Sequence, residues 1–193
     1  MKLSRREFSR LGAMGFAAQM LPAARLEAQD ANRRIGYCVI GLGRIADHFI
    51  GGVQASSTSK ITGLVSGHRD KAEKFAARLG VPKSSIYSYE DMDRMRDNKS
   101  IDAVYVALPN SMHAEYTIRS AKAGKHVFCE KPMSTSVSDA EDMIAACKTA
   151  NVKLMIAYRL QYEPTNLRAI ELIRQGALGK VQVIEGANGF YET

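Results

Sequence analysis

Cysteine is scarce in this 193-residue chain and unpaired: Cys38, Cys129 and Cys147 make an odd count with no C-x-x-C spacing. That excludes a disulfide scaffold and a cysteine-based zinc centre. Long apolar runs are absent as well, none reaching the roughly 18 uncharged residues that cross a bilayer, so an integral membrane protein is not expected. Nor is there a dense Lys/Arg stripe with interleaved aromatics, so the formal charge of +7 does not point to nucleic acid. What is present suits a globular fold: 46% apolar and 24% charged residues, against the low hydrophobicity of a disordered chain. At roughly 100–200 residues per domain, the length holds one complete domain and part of another.

Much of the basic balance sits at the N-terminus. Ser4-Arg5-Arg6-Glu7-Phe8-Ser9-Arg10 resembles the twin-arginine export motif S/T-R-R-x-F-L-K, with Ser9 in place of Leu and Arg10 in place of Lys. A weakly apolar stretch rich in Gly and Ala follows over residues 11–24, and Leu26-Glu27-Ala28 ends in a small residue suited to signal peptidase. Residues 1–28 are therefore expected to be a signal peptide. The protein is expected in the periplasm, exported folded with its cofactor already loaded and free of the membrane once the leader is removed. Lys2, Arg5, Arg6, Arg10 and Arg25 against Glu7 and Glu27 give this segment a net +3, which leaves +4 of the chain's +7 to the rest.

After a short polar arm, strand and helix signals alternate. Ile35–Ile40 is a short apolar run ending at a glycine, the pattern of a strand buried on both faces, and helical residues follow from Arg44 towards Val53. Residues 61–66 form a second strand, followed by a helix with Ala72, Phe75, Ala76 and Leu79 inward and a stop at Gly80. Ile86 and Tyr87 make a short third strand, and residues 102–108, 126–129 and 153–157 make three more. Between these lies a helix over 113–123, with Tyr116, Ile118 and Ala121 inward, ending at Gly124. Another helix starts at the capping box Ser138-Asp139-Ala140-Glu141 and shows Ala140, Met143, Ile144 and Cys147 at helical spacing. Cys38 in its strand and Cys147 on its helix read as buried thiols. Alternation of this kind gives an α/β fold with a doubly wound parallel sheet, whose ligands bind where strands hand over to helices.

The first handover, Gly41-Leu42-Gly43-Arg44-Ile45-Ala46, has the form G-x-G-x-x-A. Gly41 permits the tight turn, Gly43 lets backbone approach a pyrophosphate, and Ala46 lets the helix lie close on the sheet. Free amides at the helix start, at Arg44 and Ile45, favour phosphate. At the end of the second strand an Asp or Glu would bind the 2′-hydroxyl of NAD. None is there: Ser66, Arg69 and Lys71 offer a hydroxyl and two cations suited to a 2′-phosphate, which favours NADP over NAD. The fourth strand runs into Leu108-Pro109-Asn110, a turn signal, and then His113, which on chemistry alone reads as a structural hydrogen-bonder. The fifth runs into Glu130-Lys131-Pro132, where a lysine beside a substrate hydroxyl would lower the charge that develops as its proton leaves. A surface ion pair is the alternative reading of Glu130 and Lys131.

Gly41-Leu42-Gly43, Leu108-Pro109-Asn110-Ser111-x-His113 and Glu130-Lys131-Pro132, with Tyr158-Arg159-Leu160-Gln161-Tyr162-Glu163-Pro164, Leu178-Gly179-Lys180 and the leader, resemble the glucose–fructose oxidoreductase/inositol dehydrogenase/MocA (Gfo/Idh/MocA) family. The resemblance covers residues 1–185. It implies a Rossmann-type nucleotide domain over 29–157 and, over 158–193, the beginning of an α+β substrate and oligomerisation domain, with a helix over Pro164–Arg174 and a strand over 181–185. It also implies an NADP-dependent sugar oxidoreductase that oxidises an aldose to its lactone and returns the hydride to a second sugar such as fructose. Lys131 is then the catalytic residue beside the reacting hydroxyl, with Glu130 near the nicotinamide ribose. Leu108, Pro109, Asn110 and His113 line the cofactor's middle. Ser66, Arg69 and Lys71 face the adenosine phosphate with Tyr89 nearby, and Arg159 contacts the cofactor from the interdomain stretch. The partners implied are a small sugar and further copies of the full-length chain, with no metal. The short arm before the first strand implies easier cofactor exchange than a long proline-rich arm. The chain stops at Thr193, so the remaining sugar pocket is expected beyond it and the chain is expected to be a fragment. An NAD-dependent glycosidase of the same fold and a non-catalytic nucleotide-binding fragment are the alternatives.

Overall fold

The computed structural model describes residues 33–186; the twin-arginine segment and the expected cleavage site lie outside them. In chain order the described residues form β1 (Ile35–Ile40), α1 (Arg44–Ala55), β2 (Ser59–Val65), α2 (Arg69–Leu79), β3 (Ile86–Tyr87) and β4 (Ala103–Val106). Then come α3 (His113–Lys122), β5 (His126–Cys129), α4 (Val137–Thr149), β6 (Leu154–Ile156) and α5 (Pro164–Arg174). The six strands make one sheet in the order β3-β2-β1-β4-β5-β6, and every pairing is parallel.

Strand alternation divides the apolar residues between two cores, one on each face. Val39, Leu64, Tyr105 and Ala107 pack with Ala46 and Ile50 of α1 and Ala72 and Ala76 of α2. Their strand neighbours Cys38, Ile40, Val65, Val104, Val106, Val127 and Cys129 point the other way, onto Tyr116 and Ala121 of α3 and Met143 and Cys147 of α4. A strand with apolar residues at every position has no face for water, which is why these runs read as continuous hydrophobicity rather than alternation. All three thiols are free and buried. Gly80 ends α2 in the left-handed conformation, φ 70°, its amide bonded to the Ala76 carbonyl, a backbone position that a Cβ penalises.

Three expectations are corrected. The cap of α4 is Ser136, not Ser138: Ser136 is extended (φ −144°, ψ 159°) and its hydroxyl accepts the Asp139 amide at 3.1 Å. Both serines have an acidic residue three positions on, but only the one with extended backbone can reach back over the first turn. Ile144 is 54% exposed, because Met143 and Cys147, one turn apart, occupy the inward stripe and Ile144 stands about 100° round from Met143. Residues 181–185 are unpaired rather than a strand, since no strand among the described residues lies alongside to complete their hydrogen bonds.

At the sheet's N-terminal end Lys125 is buried, only 6% exposed. Its ammonium donates to the Asn98 and Ile101 carbonyls, both at 3.0 Å, and so ties the loop before β4 to the turn before β5. Lost hydration, then the charge of Lys99, pull this ammonium below the ordinary lysine range, with Asp102 acting in the opposite direction. Lys125→Met leaves both carbonyls without this donor and is expected to lower stability by about 1–3 kcal/mol. A urea midpoint equal to that of the wild type would overturn this account.

Candidate nucleotide and active site

β1 and β4 are neighbours, yet β1 leads out to β2 and β4 leads the other way to β5. Their loops therefore diverge and open a crevice at the carboxyl edge, where doubly wound sheets bind ligands. The crevice is a cavity of about 290 Å³ lined by residues that follow four strands, among them Gly41 and Gly43, Ser66, Lys71, Tyr89 and Leu108. Gly41 has φ 87°, and a Cβ there would lie 2.6 Å from the Ala107 carbonyl oxygen and 2.8 Å from the Leu108 side chain, so only glycine fits. Gly43 is the reverse case. It caps α1 without a side-chain hydrogen bond, and a Cβ on it would meet no protein atom within 4 Å. The space before it is open to a ligand, at a helix start whose amides favour anions. Ala46, fully buried, lets α1 lie against the sheet. Arg44 and Ile45 are exposed in the first turn of α1. An uncapped helix start behind a glycine cradle fits a pyrophosphate.

The second strand's end supplies the other wall. Ser66 is buried, its amide donating to the Tyr87 carbonyl and its hydroxyl accepting the His68 amide at 3.1 Å. Lys71, Tyr89 and His68 line the crevice with it, and no Asp or Glu does. The Tyr89 ring closes over Gly67, where a Cβ would come within 3.2 Å of it. Burial, then Tyr116, raises the Tyr89 hydroxyl above the ordinary tyrosine value, so it stays protonated at neutral pH. Arg69 is not among the lining residues: its guanidinium bonds to Glu73 (3.0 Å) and to the carbonyls of Ile86 (3.2 Å) and Lys83 (3.5 Å). At the first position of α2 its i+4 carboxylate and the segment before β3 are both nearer than the cavity. Sequence reasoning passed over His68, which precedes α2 as its cap without a side-chain cap hydrogen bond.

The third loop follows β5. Glu130 extends the β4–β5 ladder, its amide donating to the Val106 carbonyl at 3.0 Å. The buried Tyr105 hydroxyl donates to one of its carboxylate oxygens, and the Lys131 amide donates to the other at 3.1 Å. Desolvation, then the Glu130 carboxylate, raise the Tyr105 hydroxyl far above the ordinary tyrosine value, so it remains a donor throughout the physiological range. Lys131 is exposed, and its ammonium has no ion-pair partner among the described residues. The surface ion pair with Glu130 is therefore not formed, Glu130 being engaged by Tyr105. The neighbouring Cys129 thiol is inert, pushed up to about 12 by burial.

His113, which the resemblance sets at the cofactor's middle, lies outside the lining as well. It is fully buried behind the crevice, with Nε2 2.9 Å from the Leu108 carbonyl and Nδ1 2.7 Å from the Pro132 carbonyl. It is the first residue of α3, among that helix's buried residues. Asn110 opens an exposed 3-10 turn outside the lining, and Arg159 is exposed in another, Arg159–Tyr162. Of the expected contacts, Gly41, Gly43, Ser66, Lys71, Tyr89, Leu108 and Pro109 come together at one cavity. A larger surface hollow of about 480 Å³ flanks the edge strand β3, away from every strand-to-helix handover at the switch point.

The oxidoreductase family with an NAD-binding Rossmann fold, Gfo/Idh/MocA, matches residues 35–158, more than half of the chain. D-xylose 1-dehydrogenase [NADP(+)] of Haloarcula marismortui is 33% identical over 161 residues, 83% of this chain and 44% of its own length. Myo-inositol 2-dehydrogenase of Thermotoga maritima is 32% identical over 151 residues, 78% of this chain and 43% of its own length. Among solved structures, aldose-aldose oxidoreductase from Caulobacter crescentus, complexed with glycerol, superposes with a TM-score of 0.73 at 47% identity. That match covers 76% of this chain and 44% of that one. The chain thus spans less than half the length of these two dehydrogenases and of the oxidoreductase. Through a Rossmann domain whose switch-point crevice carries the glycine turn, the chain belongs to the Gfo/Idh/MocA oxidoreductase family.

Proposed function

We propose that the chain carries the NADP-binding part of a sugar oxidoreductase, exported to the periplasm by its twin-arginine leader. One observation carries the cofactor reading: the wall beyond β2 presents Ser66, His68 and Lys71 and no carboxylate. A 2′-hydroxyl finds no carboxylate partner there, whereas a 2′-phosphate finds a hydroxyl and an ammonium. The names of an NADP(+) xylose dehydrogenase and an aldose-aldose oxidoreductase among its relatives support the same cofactor and a carbohydrate substrate.

NADP, when bound, supplies the hydride chemistry; the chain's residues hold and orient. Gly41 and Gly43 keep the phosphate approach clear, and Leu108 and Pro109 form the opposite wall. Glu130, pinned by Tyr105 and by the Lys131 amide, is held in one orientation towards the ribose. The Lys131 ammonium would donate to the oxygen of the reacting sugar hydroxyl and offset the negative charge that develops on it. The substrate reading is an aldose oxidised to its lactone, the cofactor then being re-oxidised by a second sugar.

Calorimetric titration of the 193-residue chain with NADP+ and NAD+ tests this. NADP+ is expected to bind more tightly, and Lys71→Ala to lower that affinity about tenfold or more, since a hydrogen bond to a charged group contributes about 1.5–3 kcal/mol. Arg69→Ala is expected to leave it within about twofold, its guanidinium being engaged elsewhere. Equal affinities for the two cofactors, or an Arg69 effect larger than that of Lys71, would reject the assignment. Tyr105→Phe frees Glu130 and is expected to weaken NADPH binding severalfold while costing about 1 kcal/mol of stability; unchanged affinity would remove Glu130 from the cofactor contacts.

A further inference from the structure

His113 is fully buried behind the crevice, at 0% exposure. Neither ring nitrogen is spent within its own helix. Nε2 reaches the carbonyl of Leu108, which lines the crevice, and Nδ1 reaches the carbonyl of Pro132, next to Lys131. Both partners accept only, so the ring carries an N–H towards at least one of them. Leu108 follows β4 and Pro132 follows β5, and between those residues the ladder has already ended: its last contact is the Glu130 amide on the Val106 carbonyl. Beyond that point, among the described residues, the imidazole links the two loops.

We infer that His113 is a positioning residue: a rigid strut that sets the distance between the Leu108–Pro109 wall of the crevice and the loop bearing Lys131. The inference rests on the reading of Lys131 and the crevice given above. A planar ring with nitrogens on two sides fixes a separation that flexible side chains would not, and in a dry site its hydrogen bond is shielded from competition by water. Tyr105 holds the same loop from the opposite face of the sheet, through Glu130. The ammonium of Lys131 is mobile on its stem, but the backbone that carries it is clasped on both sides. Small displacements of a reacting group are costly in rate, so a strut here acts on the nicotinamide end and leaves the adenosine end alone.

The test separates these ends. In the free 193-residue chain the His113 ring N–H protons are expected to exchange slowly by NMR. His113→Asn, too short to touch both carbonyls, is expected to speed amide exchange in segments 108–112 and 131–134 and not in 66–71. In binding, the same variant is expected to lose about tenfold in affinity for NADPH and to keep that for 2′,5′-ADP within twofold. His113→Gln, longer and still a donor, is expected to recover part of the loss. A ring N–H in rapid exchange in the wild type, loops that stay protected in the variants, or equal losses for both nucleotides would overturn the strut. If the wild-type chain binds neither nucleotide, the cofactor reading falls, and the exchange data on the free chain alone decide for or against His113.

Discussion

The site depends on one close approach: the turn after β1 lies against the turn after β4 because Gly41 has no Cβ. With φ at 87° and the Ala107 carbonyl 2.6 Å from where that carbon would be, any other residue would force two adjacent strands apart or flip the turn. Either movement would shift Gly43 and the start of α1, whose uncapped amides face the opening. The glycine is costly in chain entropy, and the cost falls where backbone must serve as the binding surface. The two cores, one on each face, keep β1 and β4 in register so that this contact recurs in every folded molecule.

The same logic extends along the sheet edge. A loop after a parallel strand has no hydrogen-bonded neighbour to hold it, because the ladder stops where the strand stops. The β5 loop is held instead by side chains sent from the strand and helix beside it. Tyr105 comes from the α1 face, and His113 comes from the first turn of α3 on the other. Both are buried, so both bonds form in surroundings where an unmade bond is expensive. The loop that carries an exposed lysine is thereby tied down at two points.

Much of the frame was legible in the sequence. Strands buried on both faces show as short apolar runs, and the six strands expected before residue 158 are present, while the seventh, over 181–185, is not; Gly41 and Gly80 declared their left-handed turns through residue type alone. Harder to read was anything decided by direction rather than by type. Ser136 and Ser138 both have the spacing of a cap, and only the backbone angles choose between them. Ile144 sits next to Met143 in sequence and a third of a turn away in space. Tyr105 read as one more apolar strand residue, since nothing in the run 102–108 reveals that its hydroxyl meets a carboxylate 25 positions later. A lone histidine suggests structure, as His113 proved, yet its two partners are carbonyls that any residues at 108 and 132 would supply.

Arg69 and Lys71 show why charge near a ligand in sequence is not charge at the ligand. Two residues apart on a helix, they point about 160° away from each other, so one loop could not give both to the same phosphate. The structure gives the crevice Lys71 and turns Arg69 to Glu73 and to the carbonyls of Lys83 and Ile86. With side chains 57% and 41% exposed, the Arg69–Glu73 pair contributes little by itself. Its carbonyl bonds act differently, fastening the segment before β3 to the start of α2. β3 in turn receives the Ser66 amide at the Tyr87 carbonyl, so the arginine supports the wall that the serine and the lysine present.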